Sequence, residues 1–133
     1  MLNSLLSKLQ NDYPNFVFKS GTKFVFRPPK TILFNLDDPN FAQLILHELG
    51  HATLGHRTFT TDLERLKMEC AAWEQARVLA KTYNISLSED IIEQELDTYR
   101  NWLHHKSACK KCGLTRYQTR DGRYHCPHCD AFN

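Results

Sequence analysis

The stretch Phe41-Ala42-Gln43-Leu44-Ile45-Leu46-His47-Glu48-Leu49-Gly50-His51-Ala52-Thr53-Leu54-Gly55-His56 decides the reading of this 133-residue chain. Asp37-Asp38-Pro39 ahead of it offers acceptor side chains and a proline for a first turn, and Gly55 offers a stop, so a helix is predicted over about 39–54. Residues four apart in a helix share a face, which brings the imidazoles of His47 and His51 to one metal ion. A pair of neutral imidazoles suits zinc, which lowers the pKa of a bound water to about 7, and Glu48 lies where it can take that proton. The apolar flanks Leu44, Ile45, Leu46, Leu49 and Leu54 set the two histidines against a core rather than on a solvated face.

A catalytic zinc takes three protein ligands and a water. His56 stands nine residues after His47, one short of the metzincin spacing and directly behind Gly55, so it is read as a helix-end residue. Asp62 is the N-cap of a second predicted helix reaching about Tyr83, with Leu63, Leu66, Cys70, Trp73, Arg77 and Ala80 at helical spacing. Glu69 lies midway along it. After the short 56–61 loop this helix can pack antiparallel to the first, which makes Glu69 the candidate third ligand of a His2Glu set. Cys70 shares a face with core positions and is read as a small apolar residue. Tyr83, Tyr99, His104 and His105 are donors by type for a developing oxyanion, and none is singled out.

Outward from there the elements are short. Leu2, Leu5, Leu6 and Leu9 form a helical stripe, and Ser86-Leu87-Ser88-Glu89 is a capping-box pattern for a helix to about Leu103. Phe16-Val17-Phe18 and Phe24-Val25-Phe26, separated by Ser20-Gly21, predict a β-hairpin ended by Pro28-Pro29, and Thr31-Ile32-Leu33-Phe34 a third strand. The fold class is α+β. A zincin-like domain over 1–105, with a short, mostly antiparallel sheet and three to four helices, is followed by a separate module over 106–133.

That module carries Cys109-Lys110-Lys111-Cys112 and Cys126-Pro127-His128-Cys129, two CxxC knuckles thirteen residues apart. Four thiolates at this spacing are read as a closed structural zinc site, a zinc ribbon whose folding energy comes from the metal because so short a tail has no core. Gly113 and Asp121-Gly122 suit its turns. The cofactors expected are therefore two Zn2+, one catalytic and one structural.

The net charge is +2, unevenly placed. Residues 1–103 hold 11 Lys/Arg against 13 Asp/Glu, whereas 104–133 hold 6 against 2. Lys110, Lys111, Arg116, Arg120 and Arg123, with Tyr117 and Tyr124, make a basic, aromatic face that suits either nucleic acid or a protein substrate. No apolar run reaches the roughly 18 residues of a membrane span, and the N-terminus lacks the pattern of a secretory signal, so a cytoplasmic protein is expected.

The run His47–His56 followed by Glu69-Cys70-Ala71-Ala72-Trp73, with the preceding strand Ile32-Leu33-Phe34-Asn35, resembles the ImmA/IrrE metallopeptidases over roughly residues 25–80. The resemblance implies zinc on His47, His51 and Glu69, with Glu48 as base, and a protein substrate such as a helix-turn-helix repressor. Where that family carries Asn or Asp four residues after the ligand glutamate, this chain has Trp73, a donor only. A backbone carbonyl or another carboxylate is then expected to orient the imidazole. SprT-like proteases, which act on DNA-bound proteins, also join HExxH to a zinc ribbon. Their third histidine follows well downstream, whereas His56-Arg57-Thr58-Phe59 comes too soon. A non-catalytic, zinc-stabilised nucleic-acid or protein adaptor is the alternative from another class.

Overall fold

A computed structural model of the chain describes residues 2–130. The architecture is α+β: α1 (Leu2–Asp12), β1 (Val17–Ser20), β2 (Val25–Arg27), β3 (Thr31–Phe34), α2 (Phe41–Thr53), α3 (Asp62–Tyr83), α4 (Glu89–Ser107), β4 (Tyr117–Gln118) and β5 (Tyr124–His125). Packing groups the chain into two compact units, one of residues 1–57 and 68–89, the other of 58–67 and 90–133. The division by compactness thus differs from the expected boundary between 105 and 106. Most of α4 and the first turn and a half of α3 group with the cysteine module.

In the first unit β3 is the central strand, in the order β1-β3-β2. It pairs in parallel with β1 (Phe18 opposite Ile32) and antiparallel with β2 (Phe26 opposite Ile32). The hairpin expected between 16–18 and 24–26 does not form. Its two aromatic runs flank β3 instead, and Pro28-Pro29-Lys30 makes the turn from β2 into β3. The physical reason is burial: among the described residues Ile32, Leu33 and Phe34 are the buried strand positions, and the most buried strand takes the place with neighbours on both sides. Of the three strand pairings in the described residues, β2–β3 and β4–β5 are antiparallel.

Helix α2 is buried almost all round, with ten of its thirteen residues inside, from Phe41 to Ala52. A helix walled in on every face is unusual for one that carries two histidines and a glutamate, and it explains why those groups are buried at all. Gln43, also buried, satisfies both ends of its amide: its Nε2 donates to the Ser88 carbonyl and its Oε1 accepts from the Ser88 N–H, each at 2.9 Å. The later part of α3 supplies Ala72, Trp73, Ala76, Leu79 and Ala80 to this core. Gly50 permits the closest approach, since a Cβ there would stand 2.5 Å from the Ala72 carbonyl oxygen.

The second unit is held by a buried carboxylate. Asp62, at the start of α3, receives Lys106 Nζ at 2.8 Å and the Tyr124 hydroxyl at 2.6 Å, and its N–H donates to Gln118 Oε1 at 2.7 Å. Those contacts explain why the start of α3, the end of α4 and the β4–β5 hairpin form one body. Arg65 adds a guanidinium 5.0 Å from the Trp102 ring centre and 5.3 Å from that of Tyr99. Gly122, at φ +86°, turns the hairpin, and Gly113, at φ +80°, follows the first knuckle.

Candidate metal centre

Helical spacing does what it should on α2. The ring centres of His47 and His51 lie 4.7 Å apart, and Glu69 reaches them from α3. Nε2 of His47 is 3.1 Å from Glu69 Oε1, and Nε2 of His51 is 2.9 Å from Glu69 Oε2. One carboxylate therefore faces both imidazoles, each oxygen accepting from one ring. Glu48 borders the same place: its Oε2 is 4.0 Å from His47 Nε2, and its Oε1 accepts the Phe26 N–H at 3.0 Å. Ligand atoms of His47, Glu48 and His51 all lie within 4.8 Å of one another, a grouping that does not include Glu69. Glu69 lies nearer to the imidazoles than Glu48 does, and it engages both.

The two carboxylates sit in opposite electrostatic states. Burial alone would raise Glu69, but its bonds to His47 and His51 outweigh that and hold it far below the usual carboxylate range. Burial raises Glu48, only partly opposed by the two histidines and by the Phe26 N–H, while the charge on Glu69 adds to the rise. For His51, burial works against the charged form, and the bond to Glu69 more than restores it.

The outer nitrogens of the two rings differ. His51 Nδ1 lies 2.9 Å from Nδ1 of His56. His47 Nδ1 is the one buried side-chain nitrogen or oxygen among the described residues with no hydrogen-bond partner. Its ring instead lies flat on Trp73, centres 4.2 Å apart and planes 21° from parallel. The expectation that a backbone carbonyl or carboxylate orients the imidazole is thus not met at either ring.

Both donor sets fit a zinc-like ion. Two imidazole nitrogens and a carboxylate kept ionised are hard-to-borderline donors, here with both imidazoles within hydrogen-bond distance of the carboxylate. In the second unit the sulfurs of Cys109, Cys112, Cys126 and Cys129 all lie within 4.8 Å of one another. Cys112–Cys126 is 3.5 Å and Cys109–Cys129 3.9 Å. Disulfides would need about 2 Å, whereas a tetrahedron with metal–sulfur bonds of about 2.3 Å has edges of about 3.8 Å. Knuckle N–H groups of Cys112 and Lys111 bring the Cys109 thiol down to about 6, and a hydrogen bond with the Cys112 side chain, together with burial, pushes Cys129 up to about 12.

Of the basic face expected on this module, Arg116 and Tyr124 are engaged internally. Arg116 donates to the Lys106 carbonyl at 2.7 Å and lies 4.9 Å over the Tyr124 ring. Lys110, Lys111, Arg120 and Arg123 remain exposed, with Tyr117 stacked on His125. Tyr83 donates its hydroxyl to Asp12 at 2.6 Å, which commits it to a structural bond.

Sequence reasoning missed three contributors. The Phe26 N–H is invisible in a residue list because any residue but proline could supply it. Gly50 signals a close approach only once its neighbour is known. His56 does stand at the helix end, as its place behind Gly55 suggests, but its contact with His51 has no signal in the sequence. No family model, curated protein or solved structure matches this chain.

Proposed function

We propose that the chain is a zinc-dependent endopeptidase, with His47, His51 and Glu69 as the ligands of the catalytic ion and Glu48 as the general base. The observation that supports it is the convergence of both Nε2 atoms on the two oxygens of Glu69 with a second, separately held carboxylate alongside. Zinc, when bound, supplies Lewis acidity for a carbonyl oxygen and makes water acidic near neutral pH. Glu48 takes the proton of the attacking water and returns it to the leaving amine. Burial gives it a proton affinity above that of a free carboxylate, which suits a group that must both accept and release a proton. The Phe26 N–H fixes one oxygen so that the other faces the reacting atoms. Glu69, held ionised, stays a ligand rather than competing as base.

The four cysteines hold the second, structural zinc and thereby the ribbon fold. A reducing, cytoplasmic setting goes with four uncrosslinked thiols. The substrate proposed is a protein, such as a DNA-binding repressor. The exposed Lys110, Lys111, Arg120 and Arg123 are the surface offered to it or to its nucleic acid.

The partnerless Nδ1 of His47 favours one rival, a zinc-stabilised adaptor with no catalysis. Comparing new protein N-termini in cells making the wild type or Glu48→Gln separates the two. Termini present only with the wild type support the peptidase; identical profiles, with both ions bound, leave the adaptor.

A further inference from the structure

From the end of α2, we infer that His56 is a positioning residue for the metal site: its Nδ1 is the acceptor that fixes the ring and tautomer of His51. The inference rests on the reading of His47, His51 and Glu69 as ligands.

The local chain is built to deliver this contact. Beyond Thr53 the helix ends in a two-bond closure, with the His56 N–H donating to the His51 carbonyl at 3.0 Å and the Gly55 N–H to that of Ala52 at 3.1 Å. Gly55 makes the closure with φ +70°, a conformation that costs a side-chain-bearing residue strain. This closure characteristically brings the residue after the glycine back against the one whose carbonyl it bonds. Here those two residues are His56 and His51. Their rings meet at 5.1 Å and 62°, with the two Nδ1 atoms 2.9 Å apart.

A ring that ligates through Nε2 must carry its proton on Nδ1, and that proton needs an acceptor. His56 can supply one. It can also donate instead, because a neutral imidazole has one nitrogen of each kind. His51 can therefore present Nε2–H to Glu69 or a bare Nε2 to a metal without losing its outer hydrogen bond. A carboxylate in the place of His56 could serve only the second arrangement. His47 has no such partner and is held by the Trp73 stack, so orientation of the pair depends on His56 to a degree that spacing along the sequence conceals.

The test uses the full chain with its ribbon zinc in place. Zinc affinity of the second site is measured by chelator competition, and the tautomer of His51 by long-range 1H–15N NMR, in wild type, His56→Ala and His56→Asn. In asparagine the amide oxygen hangs on Cγ as Nδ1 does in histidine, so it offers an acceptor in the same place. His56→Ala is expected to weaken zinc about 10- to 100-fold and to mix the His51 tautomers in the loaded protein. His56→Asn is expected to keep both near wild type. An alanine variant that binds as tightly, with one unchanged tautomer, overturns the inference. So does an asparagine variant that falls as far as alanine, which would make His56 something other than an acceptor. A wild type that takes up zinc only at the cysteines brings down the ligand set itself, and His56's role with it.

Discussion

At the residue scale one cluster gives its two glutamates different surroundings. Glu69 touches both imidazoles and is kept ionised; Glu48 touches a backbone N–H and is pushed towards protonation. Glu48→Gln keeps the shape and the Phe26 bond through its amide oxygen but cannot take a proton. Cleavage of any identified substrate should then fall about a thousandfold with zinc content unchanged, as read by a peptide assay beside metal analysis. Glu69→Gln should do the reverse and lose the metal first, because a neutral amide oxygen is a far weaker ligand for a divalent cation than a carboxylate. The pair His47 and His51 was legible in the sequence because four-residue spacing is a local property of a helix. Glu69 was offered by its place midway along a helix able to fold back against the first. His56 was not, since its meeting with His51 depends on the backbone of Gly55 rather than on any spacing of side chains.

At the element scale the site depends on how closely α3 lies against α2. Gly50→Ala would gain about 1 kcal/mol of helix propensity, yet its Cβ would meet the Ala72 carbonyl at 2.5 Å, and a helix backbone cannot step aside as a side chain can. Overpacking of about 1–3 kcal/mol wins. The variant should melt lower and hold zinc more weakly at the histidine site, both readable from one denaturation series with and without added zinc. The start of α3 is tied to the hairpin through Asp62. Burial disfavours its charge, but Lys106 and Tyr124 outweigh burial and lower its pKa below the ordinary 3.8. A depressed carboxylate contributes stability above its unfolded pKa and loses it as pH falls through the folded value. Asp62→Asn should therefore cost about 1 kcal/mol at pH 7, with the gap to wild type closing below about pH 4 in urea melts. All four helices of the described residues were legible, mainly from periodicity, with ends within about four residues; the acceptors expected to cap α2 at 37–38 give way to Asn40, which makes no side-chain cap bond. Strand pairing was not: Phe16–Phe18 and Phe24–Phe26 look like hairpin partners locally. The pairing follows burial of Ile32, Leu33 and Phe34, which only the assembled core decides.

At the scale of the whole molecule, the two units are stabilised by different means. The first has a continuous apolar core from Leu5 and Leu9 through Ile45, Leu49 and Trp73. The cysteine module has no apolar core of that kind: besides its four sulfurs it has the β4–β5 pair, the Asp62 contacts and those of Arg116, so metal should supply most of its folding energy. Stripping both ions with a chelator is expected to abolish amide-exchange protection over 108–130 while α2 and the later part of α3 keep theirs. No helix in the described residues is long and apolar enough to cross a membrane. Metal counting decides whether His47, His51 and Glu69 hold an ion of their own beside that of the four cysteines. Elemental analysis of the purified wild type, Glu48→Gln and His51→Ala should give two, two and one zinc ions per chain; one ion in the wild type, or two retained by His51→Ala, would rule the histidine site out.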